Sequence, residues 1–155
     1  MHARQARGAR TDEAIKALRA LWSEGASSFH GKHFNFGPVK MFPKPVQKGG
    51  VPIVIGGHSP AAARRAGRLG DGFFPAIAER SKLIELLGIM RAEAQKAGRN
   101  ADRIELSCNG RPKLDVLKQF EDLGFSRVIV PPPASDAEGL SRGLEKIGNE
   151  VLARL

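Results

Sequence analysis

From Pro52 onward, short runs of β-branched or aromatic residues alternate with longer stretches at helical spacing. Ile53-Val54-Ile55 is a continuous apolar run closed by Gly56-Gly57, the pattern of a strand covered on both faces. Ser59-Pro60 then opens an Ala- and Arg-rich helix through Leu69, with the proline at the first helical position, where its missing N–H costs nothing. Asp71-Gly72 turns into Phe73-Phe74, a second short strand, and a long helix is predicted from Ser81 to Ala97. Ile104 to Cys108 reads as the third strand, followed by a helix over Leu114–Leu123 that Gly124 closes. Val128-Ile129-Val130 is the fourth strand, stopped by three prolines. Asp136 is the predicted cap of a final helix carrying Leu140, Leu144, Ile147 and Val151 on one face. Strands that alternate with helices imply an α/β fold with a parallel sheet and right-handed crossovers. Four such units make half of an eight-stranded barrel or most of a small open sheet.

Before Pro52 the pattern differs. Thr11-Asp12-Glu13 predicts a helix start, with Thr11 as cap and the two acids near the positive end. Ala14, Ile15, Leu18, Leu21 and Trp22 form one apolar stripe, and Gly25 marks a stop. Residues 27–50 are rich in Phe, Gly, Pro and Lys, and Pro43 and Pro45 forbid a long helix there. The segment reads as an irregular insertion with room for a small hairpin around His33-Phe34-Asn35-Phe36, within a single domain spanning residues 1–155.

At 155 residues the chain can bury a core, and its 41% hydrophobic and 26% charged residues are ordinary for a globular protein. No apolar run is long enough to span a membrane, and the basic start, Met1 to Arg10, lacks the apolar stretch of a secretory signal. With its single cysteine the chain has no internal disulfide, and a cytoplasmic location is expected. The net charge of +9 suits a polyanionic ligand, but the cations form no block beyond Arg4, Arg7 and Arg10, so nucleic acid is not the expected partner.

The chemistry concentrates in Gly56-Gly57-His58-Ser59, between a strand and a helix. Two glycines allow a sharp turn and close approach of a ligand, and the first N–H groups of a helix are unpaired and carry partial positive charge. Such a turn suits phosphate. Ser59 either caps the helix or gives its hydroxyl to a phosphate oxygen, and His58 is a phosphate contact or an exposed turn residue. The turn is neither a Walker loop nor a Gly-x-Gly-x-x-Gly dinucleotide turn, and an ordinary capped strand-to-helix turn reads the same way. Other candidates are weaker. His30 and His33 lack a third metal ligand, and no metal is expected. Cys108 reads as a small buried hydrophobe, Trp22 as core, and His2 carries no signal. No catalytic acid, base or nucleophile is assigned.

Several segments together resemble one family. They are Arg7 to Ile15 with Leu18-Arg19-Ala20-Leu21-Trp22, Phe29 to Phe34 with Pro43-Lys44-Pro45-Val46-Gln47, and Pro52 to Pro60 followed by Gly70-Asp71-Gly72-Phe73. In order and spacing they resemble the luciferase-like monooxygenases, particularly the branch that uses coenzyme F420. The resemblance covers residues 7–75 and continues more loosely through Leu123 to Val128 and the final helix. It implies the C-terminal half of a (β/α)₈ TIM barrel and a flavin- or F420-dependent oxidoreductase or monooxygenase. It places the cofactor phosphate on Gly56 and Gly57 with His58 and Ser59 beside them. Coenzyme F420 is the implied cofactor, FMN the alternative. Barrel phosphate sites more often follow the last two strands, whereas this turn follows the first strand of the chain. The family's N-terminal half has no counterpart here, so a truncated chain is expected, paired with another copy or with a missing barrel half. A non-catalytic fragment or a small α/β module binding a phosphorylated ligand remains the other reading.

Overall fold

A computed structural model describes residues 3–77 and 79–154 and divides into two compact units, 1–53 and 54–155. The readings on Met1 and His2 lie outside the described residues.

The first unit is built on a 20-residue helix, α1 (Ala3–Trp22), followed by an antiparallel hairpin of β1 (Ser27–His30) and β2 (Asn35–Val39). Thr11 is therefore not a cap but lies inside α1. Its hydroxyl donates to the Arg7 carbonyl one turn back at 2.9 Å, so the side chain that reads as a helix start is satisfied within a helix already under way. The far end of α1 falls where Gly25 adopts φ +76°, and Lys44 Nζ donates to the carbonyls of Leu21 (2.9 Å) and Ser23 (2.6 Å), placing a cation on the negative end of the helix. Glu13 holds the hairpin turn: one carboxylate oxygen accepts from the amides of His33 at 2.6 Å and Phe34 at 2.7 Å. Desolvation pushes this carboxyl's pKa up, but the two amides and the nearby His33 charge outweigh it and hold it below the usual 4.5. Between the strands, His30 pairs with Asn35 through a 2.8 Å contact from Nδ1 to the carboxamide oxygen.

The second unit is a four-stranded parallel sheet in the order β3 (Val54–Gly56), β4 (Gly72–Phe74), β5 (Glu105–Asn109), β6 (Arg127–Ile129). Its helices are α2 (Pro60–Leu69), α3 (Arg80–Lys96), α4 (Leu114–Glu121) and α5 (Ala137–Glu150). Ile55, Phe73, Leu106 and Cys108 are buried in the strands, as are Ala63 and Ala66 of α2 and Leu83, Leu86, Leu87 and Met90 of α3. Small residues let α2 and α3 lie close: a Cβ on Gly67 would stand 2.4 Å from the Met90 carbonyl oxygen. Arg99, just past α3, closes the far end of α2. Its guanidinium donates to the carbonyls of Ala66 (3.3 Å), Gly67 (2.7 Å) and Gly70 (2.5 Å), adding a cation to the carbonyl-rich end of the helix, where Ala66 also accepts from the Gly70 amide at 2.9 Å. Asp136 caps α5, its carboxylate accepting from the Gly139 amide at 2.8 Å. Among the described residues the outer strands β3 and β6 each pair on one side, and Val54 and Ile129 on them are nearly half exposed. No helix among the described residues is long and apolar enough to cross a membrane.

Candidate functional site

All four strands run the same way, so their carboxyl ends and the turns leading to the helices gather on one edge of the sheet. In open parallel sheets and barrels alike, ligands bind along that edge. Gly56 ends β3 there, and Gly57-His58-Ser59 leads into α2.

The two glycines do different work. Gly57 adopts φ +140°, a region that L side chains rarely enter, and a Cβ on it would sit 2.9 Å from that of Ala62. Its amide donates to the Phe74 carbonyl at 3.1 Å, tying the turn to the end of β4. Gly56 has no positive φ, and a Cβ on it would meet nothing within 4 Å. The protein's own packing thus requires glycine at 57 and leaves the space beside 56 open.

Ser59 is the cap of α2, its Oγ accepting from the Ala62 amide at 3.3 Å, and the Ala63 amide donates to the Ser59 carbonyl at 3.1 Å. The turn therefore satisfies part of its own donor set: Gly57, Ala62 and Ala63 are engaged. The amides of His58, Ser59 and Ala61 have no protein acceptor among the described residues, and Pro60 has no N–H. The Ser59 hydroxyl keeps its proton for a further acceptor, because capping uses only an oxygen lone pair. His58, Ser59 and Ala61 are all exposed, and the His58 ring has no partner among the described residues. No acidic residue lies in the first turn of α2, so nothing there opposes an anion. Arg64, in the second turn, is exposed. Three amides without protein acceptors among the described residues, one hydroxyl and an imidazole beside an open patch of backbone make a donor set suited to a phosphate.

A second feature lies further along the same edge. A cleft of about 260 Å³ is lined by Pro75, Ala76 and Ile77, just past β4, and by Asn109 at the end of β5. Nothing in the local sequence around Asn109 marks it as functional. The signal that singles it out is its place at the carboxyl end of a parallel strand, which needs the strand boundary to be known to a single residue. Cys108 itself is buried, and burial pushes its thiol up to about 11, far from a reactive thiolate. Trp22 is part-exposed and, with Pro45, Val46 and Lys48, lines a cavity of about 410 Å³ in the first unit. No three His, Cys, Asp or Glu side chains among the described residues gather as a metal site.

The family model described as luciferase-like monooxygenase matches residues 2–115. The chain belongs to the luciferase-like monooxygenase family. An uncharacterized protein of Mycobacterium tuberculosis is 30% identical over 158 residues, which covers 96% of this chain and 54% of that protein. The F420-dependent glucose-6-phosphate dehydrogenase of Nocardia farcinica is 37% identical over 101 residues, covering 64% of this chain and 30% of the enzyme. Among solved structures, the coenzyme F420-dependent tetrahydromethanopterin reductase of Methanopyrus kandleri superposes with a TM-score of 0.75 at 14% identity, over 92% of this chain and 63% of that one. The chain spans about half the length of the curated relatives it matches. The four-stranded α/β unit is thus about half of the TIM barrel of luciferase-like enzymes, the fold class that the strand–helix alternation and the resemblance implied.

Proposed function

We propose that the chain carries the cofactor-phosphate part of an F420-dependent oxidoreductase of the luciferase-like family, with Gly56, Gly57, His58 and Ser59 holding the phosphate end of the cofactor. One observation carries this reading: the amides of His58, Ser59 and Ala61 have no acceptor among the described residues at the positive end of α2, beside the open space at Gly56. Phosphate oxygens accept from such amides, and the backbone supplies the geometry without side-chain entropy. Gly57 fixes the turn, Ser59 both caps the helix and donates, and His58 adds a ring N–H. The net charge of +9 favours a polyanionic cofactor over a neutral one. The F420-dependent relatives support deazaflavin over FMN. When bound, the deazaflavin supplies hydride-transfer chemistry, and the protein's part is to anchor and orient it.

The test is a titration of the purified chain with inorganic phosphate, coenzyme F420 and FMN, followed by calorimetry and by cofactor absorbance. Saturable binding of F420, tighter than that of phosphate, is the expected result. Binding of phosphate with no preference for F420 or FMN would reduce the chain to a phosphate-ligand module. Failure to bind phosphate in any form would remove the basis of the reading.

A further inference from the structure

We infer that Asn109 is a binding residue for the ring end of the same phosphate-anchored cofactor, its carboxamide reading an imide edge of a planar heterocycle lodged in the cleft past β4. The inference rests on the phosphate reading of the Gly56–Ser59 turn and extends it to a second point of contact. Asn109 ends β5, is exposed and lines the cleft, while its side chain has no hydrogen-bond partner among the described residues. The backbone at this point is constrained from behind. A Cβ on the following Gly110 would stand 2.5 Å from a Val128 methyl, and the Gly110 amide donates to the Ile129 carbonyl at 3.0 Å. Asn109 is therefore held on a fixed strand end, and its polar head is spent on nothing among the described residues.

Strand register gives the separation of the two points. Gly56 pairs with Phe74 on β4, and Phe73 pairs with Leu106 on β5, so the phosphate turn and Asn109 lie two strands apart on the same edge. Two inter-strand spacings are roughly 10 Å. That span suits one ligand whose phosphate is joined to a flat ring by a short polyol chain. Phe74, partly exposed, lies on β4 between the two points, and beyond it Ala76 is small and exposed while Pro75 is buried. A carboxamide presents one acceptor and two donors side by side, matching the alternating C=O and N–H of an imide in either ring system. A carboxylate in its place would offer acceptors alone and would be repelled by the imide oxygens. Pro75, Ala76 and Ile77 contribute apolar side chains to the cleft, which suits a ring face.

The experiment uses the full chain and two variants, Asn109→Ala and Asn109→Leu, the second conserving most of the volume without hydrogen-bonding capacity. Each is titrated with inorganic phosphate, FMN, riboflavin and coenzyme F420. The expected result is unchanged phosphate affinity, with FMN, riboflavin and F420 all weakened about tenfold, the loss of one buried hydrogen-bonding pair. Riboflavin matters because it has the ring without the phosphate, so its affinity must fall by the same factor. If both variants keep wild-type affinity for the ring-bearing ligands, the inference is overturned and the phosphate site stands. If the wild-type chain takes phosphate but no ring-bearing ligand, it is overturned likewise. If the wild-type chain takes none of the four ligands, the phosphate reading fails and the inference fails with it. Far-UV circular dichroism of the two variants checks that the exposed substitution leaves the fold intact.

Discussion

Substituting the two glycines of the turn one at a time separates fold from ligand. In Gly57→Ala the new methyl meets Ala62 Cβ at 2.9 Å, and the backbone must hold φ +140° or abandon it. Holding a non-glycine residue in that region costs about 1–3 kcal/mol. For a chain of this size 1 kcal/mol moves the midpoint by roughly 3 °C, so a fall of about 3–9 °C is expected. Gly56→Ala meets nothing within 4 Å and needs no unusual φ. Its effect on stability is expected to lie between neutral and a gain of about 0.4–1 kcal/mol from a less flexible unfolded chain. Its effect on binding is the opposite, because the methyl stands where the phosphate must approach the backbone. Phosphate affinity is expected to fall at least tenfold in Gly56→Ala. Thermal melts followed by circular dichroism, together with phosphate calorimetry, read both axes. A Gly56→Ala chain that melts normally and binds phosphate as well as the wild type would refute the argument, since the open space beside Gly56 would then have no bearing on a ligand.

Three further outcomes follow from contacts within the two units. Arg99→Met removes three donated hydrogen bonds from the end of α2 and is expected to cost about 2–4 kcal/mol in urea unfolding; Arg99→Lys does not restore it, because an ammonium cannot span three carbonyls as the planar fork does. The Cys108 thiol is raised from 9.0 to about 11, so its contribution to stability is intact below pH 9 and is lost as pH rises through about 11; a Cys108→Ala chain is expected to lack this alkaline loss, and a thiol reagent at pH 8 is expected to label the wild type only after denaturant is added. Glu13 is shifted the other way, so its contribution is present above pH 4.5 and is lost as pH falls through its lower folded value; Glu13→Gln is expected to flatten that acid limb, and faster amide exchange at His33 and Phe34 reports the loosened turn.

How far the sequence discloses the molecule depends on whether a feature is set locally or by register. The strand at Ile53-Val54-Ile55 was legible to within a residue, because a short β-branched run between Pro52 and a Gly pair admits few alternatives, and the observed strand is Val54–Gly56. Pro60 and Gly70 likewise frame α2, since a first-turn proline and a glycine beyond Leu69 mark its ends chemically. Thr11 misled for the same local reason. A threonine before two acids is the pattern of a cap, and nothing local in the sequence reveals that Arg7 offers its carbonyl one turn back. The hairpin of β1 and β2 was hard to delimit because its register shifts between Ser27 and Phe29, breaking the alternation that would have marked it.

The site divides along the same line. Gly56 and Gly57 are the same letter twice, and only the backbone separates them: one is required by φ and by Ala62, the other is required by nothing in the protein. A glycine that the fold does not need is a stronger pointer to a ligand than one that it does, because the second would be there in any strand-to-helix turn. Asn109 belongs to the same class. It lies outside every segment that carries the resemblance, and its importance arises from being two strands away from the turn and without a partner among the described residues. Both residues are thus defined by what the fold leaves unused, and unused backbone space and unused hydrogen-bonding capacity on one sheet edge are what a bound cofactor would consume.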